Sequence, residues 1–120
     1  MSKPKAVQDI INHSTGTTQY HRFSNFPHYP IITDGVREIA ESAGAYWLLD
    51  IVGSYQQDKR LDKAFQVWKL KVNRENHSGV VCGYNDTKLI ITQDIPFTTF
   101  PLEEFTLYLM NDVILLPTEH

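Results

Sequence analysis

Apolar and polar positions follow two different periods along this chain, and the change falls near Ala64. Before it, apolar residues recur at helical spacing. Val7, Ile10 and Ile11 share one face of a segment running from Pro4 to about His13, with Pro4 suited to a first helical turn and Gly16 placed as a stop. Val36, Ile39, Ala40 and Ala43 recur at i, i+3, i+4 and i+7, the stripe of a half-buried helix. Thr33 or Asp34 can cap its first turn, and Gly44 follows its last periodic residue. The apolar run "GAYWLLDIVGSYQ" then starts a third helix, or continues the second through a kink. After Ala64 the period is two. Trp68, Leu70 and Val72 alternate with Lys69 and Lys71, as in a half-exposed strand. Turns at "NRENHSG" and "NDT" separate it from "VVCGY" and "KLIITQDI". Asn111-Asp112 between two β-prone runs is a two-residue hairpin signal. Between the first two helices lies "TGTTQYHRFSNFPHYPIIT", where Thr17 to Phe23 suits a strand and Pro27 and Pro30 favour extended loop. Helices followed by consecutive strands predict an α+β fold, a single domain over residues 1–120. In it the N-terminal helices pack on one face of a C-terminal antiparallel β-meander.

Composition fits this picture. The chain has 120 residues, 42% hydrophobic and 21% charged, enough to bury a core of its own. It contains no run of apolar residues long enough to span a membrane, and "MSKPKAVQDI" has no apolar signal core. With one cysteine, Cys82, no internal disulfide can form, and the expected location is cytoplasmic. The net charge of −3 is uneven, because five acidic residues and no Lys or Arg follow Lys88. From Ile10 to Thr33 there is no Asp or Glu, yet His13, His21, Arg22 and His28 are there. The chain is no basic nucleic-acid binder overall, but that segment is locally electropositive.

Asp50 stands in the middle of the most apolar helix. On a helical wheel Tyr46, Asp50, Gly53 and Gln57 fall within about 60° of each other, opposite a broad apolar arc that only Gln56 interrupts. Burying Asp50 unpaired would cost several kcal/mol or hold it protonated, so this narrow stripe is read as surface or as the mouth of a cleft. The histidines lack the short spacing of zinc ligands, and no metal or cofactor is implied. Tyr20, His21, Arg22, Phe23, Phe26, His28 and Tyr29 interleave rings with positive charge, as single-stranded nucleic-acid binders do. Only Arg22 among them is permanently charged, which is too few phosphate contacts for useful affinity. Cys82 groups with Val80 and Tyr84 on its strand, which predicts a packed thiol rather than a nucleophile. "STGTT" lacks the lysine of a phosphate loop, and adjacent Glu103 and Glu104 point apart on regular structure. Phe65, Val67, Lys69 and Lys71 share one side of their strand, and Thr106, Tyr108 and Met110 one side of another. If these sides coincide, the sheet offers a mixed aromatic and polar surface for a protein partner or for self-association.

"ITDGVREIAESAGAYWLLDIVGSYQ", "FQVWKLKVN" and "LYLMNDVILLPTEH" resemble a family of small bacterial proteins of unknown function often carried by phages, plasmids and other mobile elements. The resemblance runs from about Thr15 to the end and implies at most an accessory role for such an element. It carries no activity or cofactor. Every catalytic arrangement tested lacks a second partner residue. The leading expectation is therefore a non-enzymatic cytoplasmic domain that binds another macromolecule, a protein in the first instance. The second is a small enzyme or ligand binder with its pocket between residues 20–29 and the Tyr46/Asp50 stripe. The third is a weak single-stranded nucleic-acid binder. Candidate binding residues are Tyr20, His21, Arg22, His28, Tyr46 and Asp50; no catalytic residue is assigned.

Overall fold

The computed structural model describes residues 3–13, 19–26 and 28–120. The first helix, α1, spans Lys3–His13 and buries Val7 completely. The expected stop at Gly16, the "STGTT" hydroxyls and the Thr17–Thr18 part of the first strand lie outside the described residues. Two short strands follow, β1 (Tyr20–Arg22) and β2 (Ile31–Thr33). Thr33 then caps α2 (Asp34–Ala43), its hydroxyl accepting from the Val36 amide at 3.3 Å. Caps of this kind contribute about 1 kcal/mol. Val36, Ile39, Ala40 and Ala43 are all buried, as their spacing predicts. Gly44 ends the helix at φ 62°, a left-handed conformation that glycine reaches without a Cβ clash. The chain thus stops and restarts rather than kinking, and α3 runs Tyr46–Ser54.

Five more strands follow: β3 (Gln66–Asn73), β4 (Ser78–Asn85), β5 (Lys88–Ile95), β6 (Glu104–Met110) and β7 (Val113–Leu115). A 3₁₀ turn, Pro117–Glu119, ends the chain. Asn111 and Asp112 both take positive φ, 51° and 65°, as the tight turn between β6 and β7 requires. All seven strands form one sheet in the order β1-β2-β7-β6-β3-β4-β5. The fold class is α+β as expected, but the sheet is not a simple meander. β3, β4 and β5 run on as neighbours, whereas β6 returns to the far side of β3. β7 then pairs parallel with β2, so an N-terminal hairpin joins the sheet through the last strand. The proline-rich stretch therefore holds a strand where loop was expected. Pro30 stands just before β2, a position that removes no ladder donor.

Register sorts the side chains of the sheet into two faces. Ile32, Ile114, Leu109 and Gln66 form one row, Leu107, Trp68, Gly83 and Ile91 a second, and Phe105, Leu70, Val81 and Gln93 a third. Nearly all of these are buried under the helices. α2 packs against β1, β2 and β7, α1 packs on α2, and Tyr55 after α3 stacks on Trp68. Gln56, the one exception on the helical wheel, is 3% exposed in the turn after α3. Its amide exchanges hydrogen bonds with that of Gln66 (2.9 and 3.0 Å) and donates to the Val52 carbonyl. Trp68 Nε1 also donates to Gln66 Oε1, so a polar pair survives burial because its groups are partnered. The C-terminus is tied down as well. Glu119 Oε1 accepts from the Thr33 hydroxyl at 2.7 Å and from the Leu116 amide at 2.9 Å.

Candidate functional site

Among the described residues, no α-helix packs on the second face of the sheet. Register aligns Leu89, Tyr84, Val67, Tyr108 and Leu115 in one row across β5, β4, β3, β6 and β7. Leu89 is 51% exposed, Tyr84, Tyr108 and Leu115 are half-buried, and Val67 at the centre is buried. The next row is Thr92, Cys82, Lys69 and Thr106, and the one beyond it Asp94, Val80, Lys71 and Glu104. The face therefore grades from apolar to charged. The two groups of side chains singled out on β3 and β6 do share it. Phe65 packs edge-on to Tyr108, and both rings meet His120, so the C-terminal turn borders this end of the row. Phe65 and Tyr108, together with Val67, Lys69, Tyr84 and Pro117, line a concave patch of about 580 Å³. Cys82 sits beside Val80 and Tyr84 as alternation predicts, but on the uncovered side. Its thiol is free and half-buried rather than packed in the core, because no described helix covers this face.

At the other end of the sheet the six candidate residues divide among three places. Tyr20, His21, Arg22 and Tyr46 line a cleft of about 680 Å³ between β1 and α2. There His21 Nε2 meets Asp34 at 2.5 Å, while Arg37 lies 3.2 Å from His21 Nδ1. A guanidinium can only donate, so Nδ1 accepts and Nε2 carries the hydrogen. Arg37 also bonds Glu41, which accepts from the Tyr46 hydroxyl. Burial, and then the Glu41 carboxylate, raise the Tyr46 phenol above its ordinary value, with Arg37 partly opposing. A histidine beside an aspartate is the start of a general base. Here the second nitrogen faces Arg37, leaving none to take a substrate's proton.

Asp50 is exposed and is claimed by Tyr29, whose hydroxyl donates to it at 2.9 Å. Desolvation first, and then this carboxylate, raise the Tyr29 phenol. The ring reaches α3 because Gly53 leaves room. A Cβ there would stand 2.7 Å from Tyr29 Cδ2. Tyr46 and Asp50 thus share a stripe without sharing a cleft, and Tyr29 covers the stripe between Asp50 and Gly53. Gly53→Ala is expected to lift this ring off the helix. Unfolding free energy should change by less than about 1 kcal/mol, since alanine's better helix propensity offsets the lost contact. Nuclear Overhauser contacts between the Tyr29 ring and α3 report the displacement; their survival in the variant would show that the ring is seated elsewhere.

His28 and Arg22 border a further cleft, with Tyr29, Gln57, Lys63, Asn111 and Asp112. Sequence reasoning missed Lys63 and the 111–112 turn because they meet Arg22 only through the order of the strands. Among the described residues, no group of three or more His, Cys, Asp or Glu is placed to hold a metal ion, and no helix is long and apolar enough to cross a membrane.

The profile of a family described as a family of unknown function (DUF6876) matches residues 5–120. The chain belongs to that family. The match takes in every strand of the DUF6876 chain, so it covers the open face and all three candidate places. No curated protein and no solved structure matches it significantly.

Proposed function

We propose that this protein is a non-enzymatic binding domain whose partner is another protein, docked on the open face of the sheet. The row Leu89–Tyr84–Val67–Tyr108–Leu115 carries this reading: Leu89 is exposed, Tyr84, Tyr108 and Leu115 are half-exposed around the buried Val67, and contiguous apolar surface of this kind marks an interaction site. Aromatic residues at its centre and charged ones at its margin match the anatomy of protein interfaces. A nucleic acid suits the face less well. Lys71 has Glu104 directly across the strand, and Lys69 lies over the Tyr84 ring at 5.4 Å, so little positive potential is left for phosphates. The resemblance to proteins of phages and plasmids supports an accessory role for a mobile element in the bacterial cytoplasm.

Photo-crosslinking in the cells that make the protein tests this. A photoreactive phenylalanine analogue at Tyr108 should join one defined protein, and the same analogue at Tyr46, on the helical side, should not. A substitution of Tyr84 by Lys should abolish the product. Equal crosslinking from positions 108 and 46, or a product indifferent to Tyr84→Lys, would defeat the reading. A product of twice the chain mass would identify the partner as a second copy.

A further inference from the structure

A separate site lies at the end of the sheet remote from β5. We propose that the cleft formed by Arg22, His28, Lys63 and the 111–112 turn binds a phosphate monoester of a small, hydroxyl-rich molecule, a sugar phosphate in its simplest form.

The cleft gathers positive charge without acidic partners for Arg22 and Lys63 among the described residues. Among the described residues three ion pairs form, His21–Asp34, Arg37–Glu41 and Arg60–Asp58, and neither Arg22 nor Lys63 takes part. Arg22 makes no side-chain hydrogen bond within the described structure, and Lys63 makes one long one, 3.3 Å to Gln56 Oε1. Two permanent cations and the titratable His28 therefore share a cleft of about 730 Å³ in which Asp112 is the one carboxylate. They come from three separate segments of a chain whose net charge is −3. Gathering them costs Coulomb energy that an arriving anion would recover.

The walls of the cleft are held by backbone hydrogen bonds, Asn111 N to the Lys63 carbonyl (3.3 Å) and Ile31 N to the Asp112 carbonyl (2.9 Å). Below them Gln56 is locked into the buried pair with Gln66. The backbone of the site is pre-formed, so the ordering entropy lost on binding is that of the exposed side chains.

The chemistry of the lining selects the ligand. A guanidinium presents a fork matched to phosphate oxygens and an ammonium adds a point charge, a combination suited to a phosphate dianion. The volume lies in the range of small-molecule sites and exceeds what a bare phosphate fills. The remaining lining is polar. The side-chain amides of Gln57 and Asn111 have no partner among the described residues, and the Asp112 carboxylate repels a phosphate but accepts from hydroxyls. The ligand thus has an anionic end and a hydroxyl-bearing end.

The test is a titration of isotope-labelled full-length protein with ribose 5-phosphate, followed by backbone NMR. Saturable shifts are expected at Arg22, His28, Lys63 and Asn111. Arg22→Ala and Lys63→Ala should each weaken the affinity about tenfold or more, the loss of one charge-assisted hydrogen bond. Both residues are exposed, and an unchanged far-ultraviolet spectrum and melting temperature will show that the variants fold. Inorganic phosphate should bind at the same residues but more weakly, and ribose alone should not bind. The proposal is overturned if millimolar ribose 5-phosphate gives no saturable shifts there, or if Arg22→Ala leaves the affinity unchanged. It is equally overturned if phosphate binds as tightly as the sugar phosphate, or if only single-stranded DNA shifts these residues. None of these outcomes bears on the docking face, which shares no residue with the cleft.

Discussion

Replacing Trp68 by alanine is expected to remove about 3–5 kcal/mol of unfolding free energy, the range for deleting a large buried aromatic. Trp68 is 1% exposed and stands at the centre of the second buried row. Tyr55 stacks on one side of its ring, with centroids 6.0 Å apart, while Gly83 on the neighbouring strand passes beneath it. A Cβ on Gly83 would fall 2.7 Å from the ring, so this backbone is fitted to the indole and has nothing with which to refill the space. The cavity left by alanine would therefore persist. Single domains have roughly 5–15 kcal/mol of stability, so much of the margin would go. Urea unfolding of the two proteins measures this, with the slope against denaturant unchanged if the native state stays compact. A loss under about 1 kcal/mol would mean that the core repacks around the gap.

The second large effect belongs to Gln66, which is 0% exposed and holds three other groups in place. Its Oε1 accepts from Trp68 Nε1 and Gln56 Nε2, and its Nε2 donates to Gln56 Oε1 and the Asp62 carbonyl. Leucine would fill most of the volume yet strand those partners, at about 1–3 kcal/mol for each buried polar group left unmatched. The penalty is expected to shrink when Gln56 becomes leucine too, since the largest stranded group then disappears. A double-mutant cycle measures that coupling, and a cycle that closes additively would show that the two amides do not act as a pair. Because Gln56 also holds Lys63, both single variants should loosen the floor of the phosphate cleft.

How much of this could be read in advance depends on how local each feature is. The caps at Thr33 and Gly44, the alternation around Trp68 and the tight turn at Asn111-Asp112 are decided by neighbouring residues, and the sequence pattern located all of them. Gln56 stood out as an irregularity on the wheel. Its explanation needed Gln66, which lies across a turn of unknown course. β2 was lost for a related reason: two prolines nearby argue for loop, while the strand's pairing partner is more than 80 residues away in β7. Asp50 was read correctly as exposed, but nothing local indicated that Tyr29 would claim it. The open face was legible as two separate sides, and only the register joined them. The cleft at Arg22 was legible as an acid-free stretch; its second cation, Lys63, was not, because strand order alone brings it there.

The placement of β7 between β2 and β6 has a consequence for the order of assembly. A ribosome delivers β1 and β2 early, yet the strand that seats them follows more than 80 residues later. Until residues 113–115 emerge, that hairpin has no sheet to join, and Thr33 waits for Glu119 as well. β3, β4 and β5 can close on one another as soon as they appear, because each adjoins its chain neighbour. The nascent protein thus forms the Leu89–Tyr84–Val67 part of the open face before the clefts around β1, and Tyr108 and Leu115 arrive with the strands that finish both.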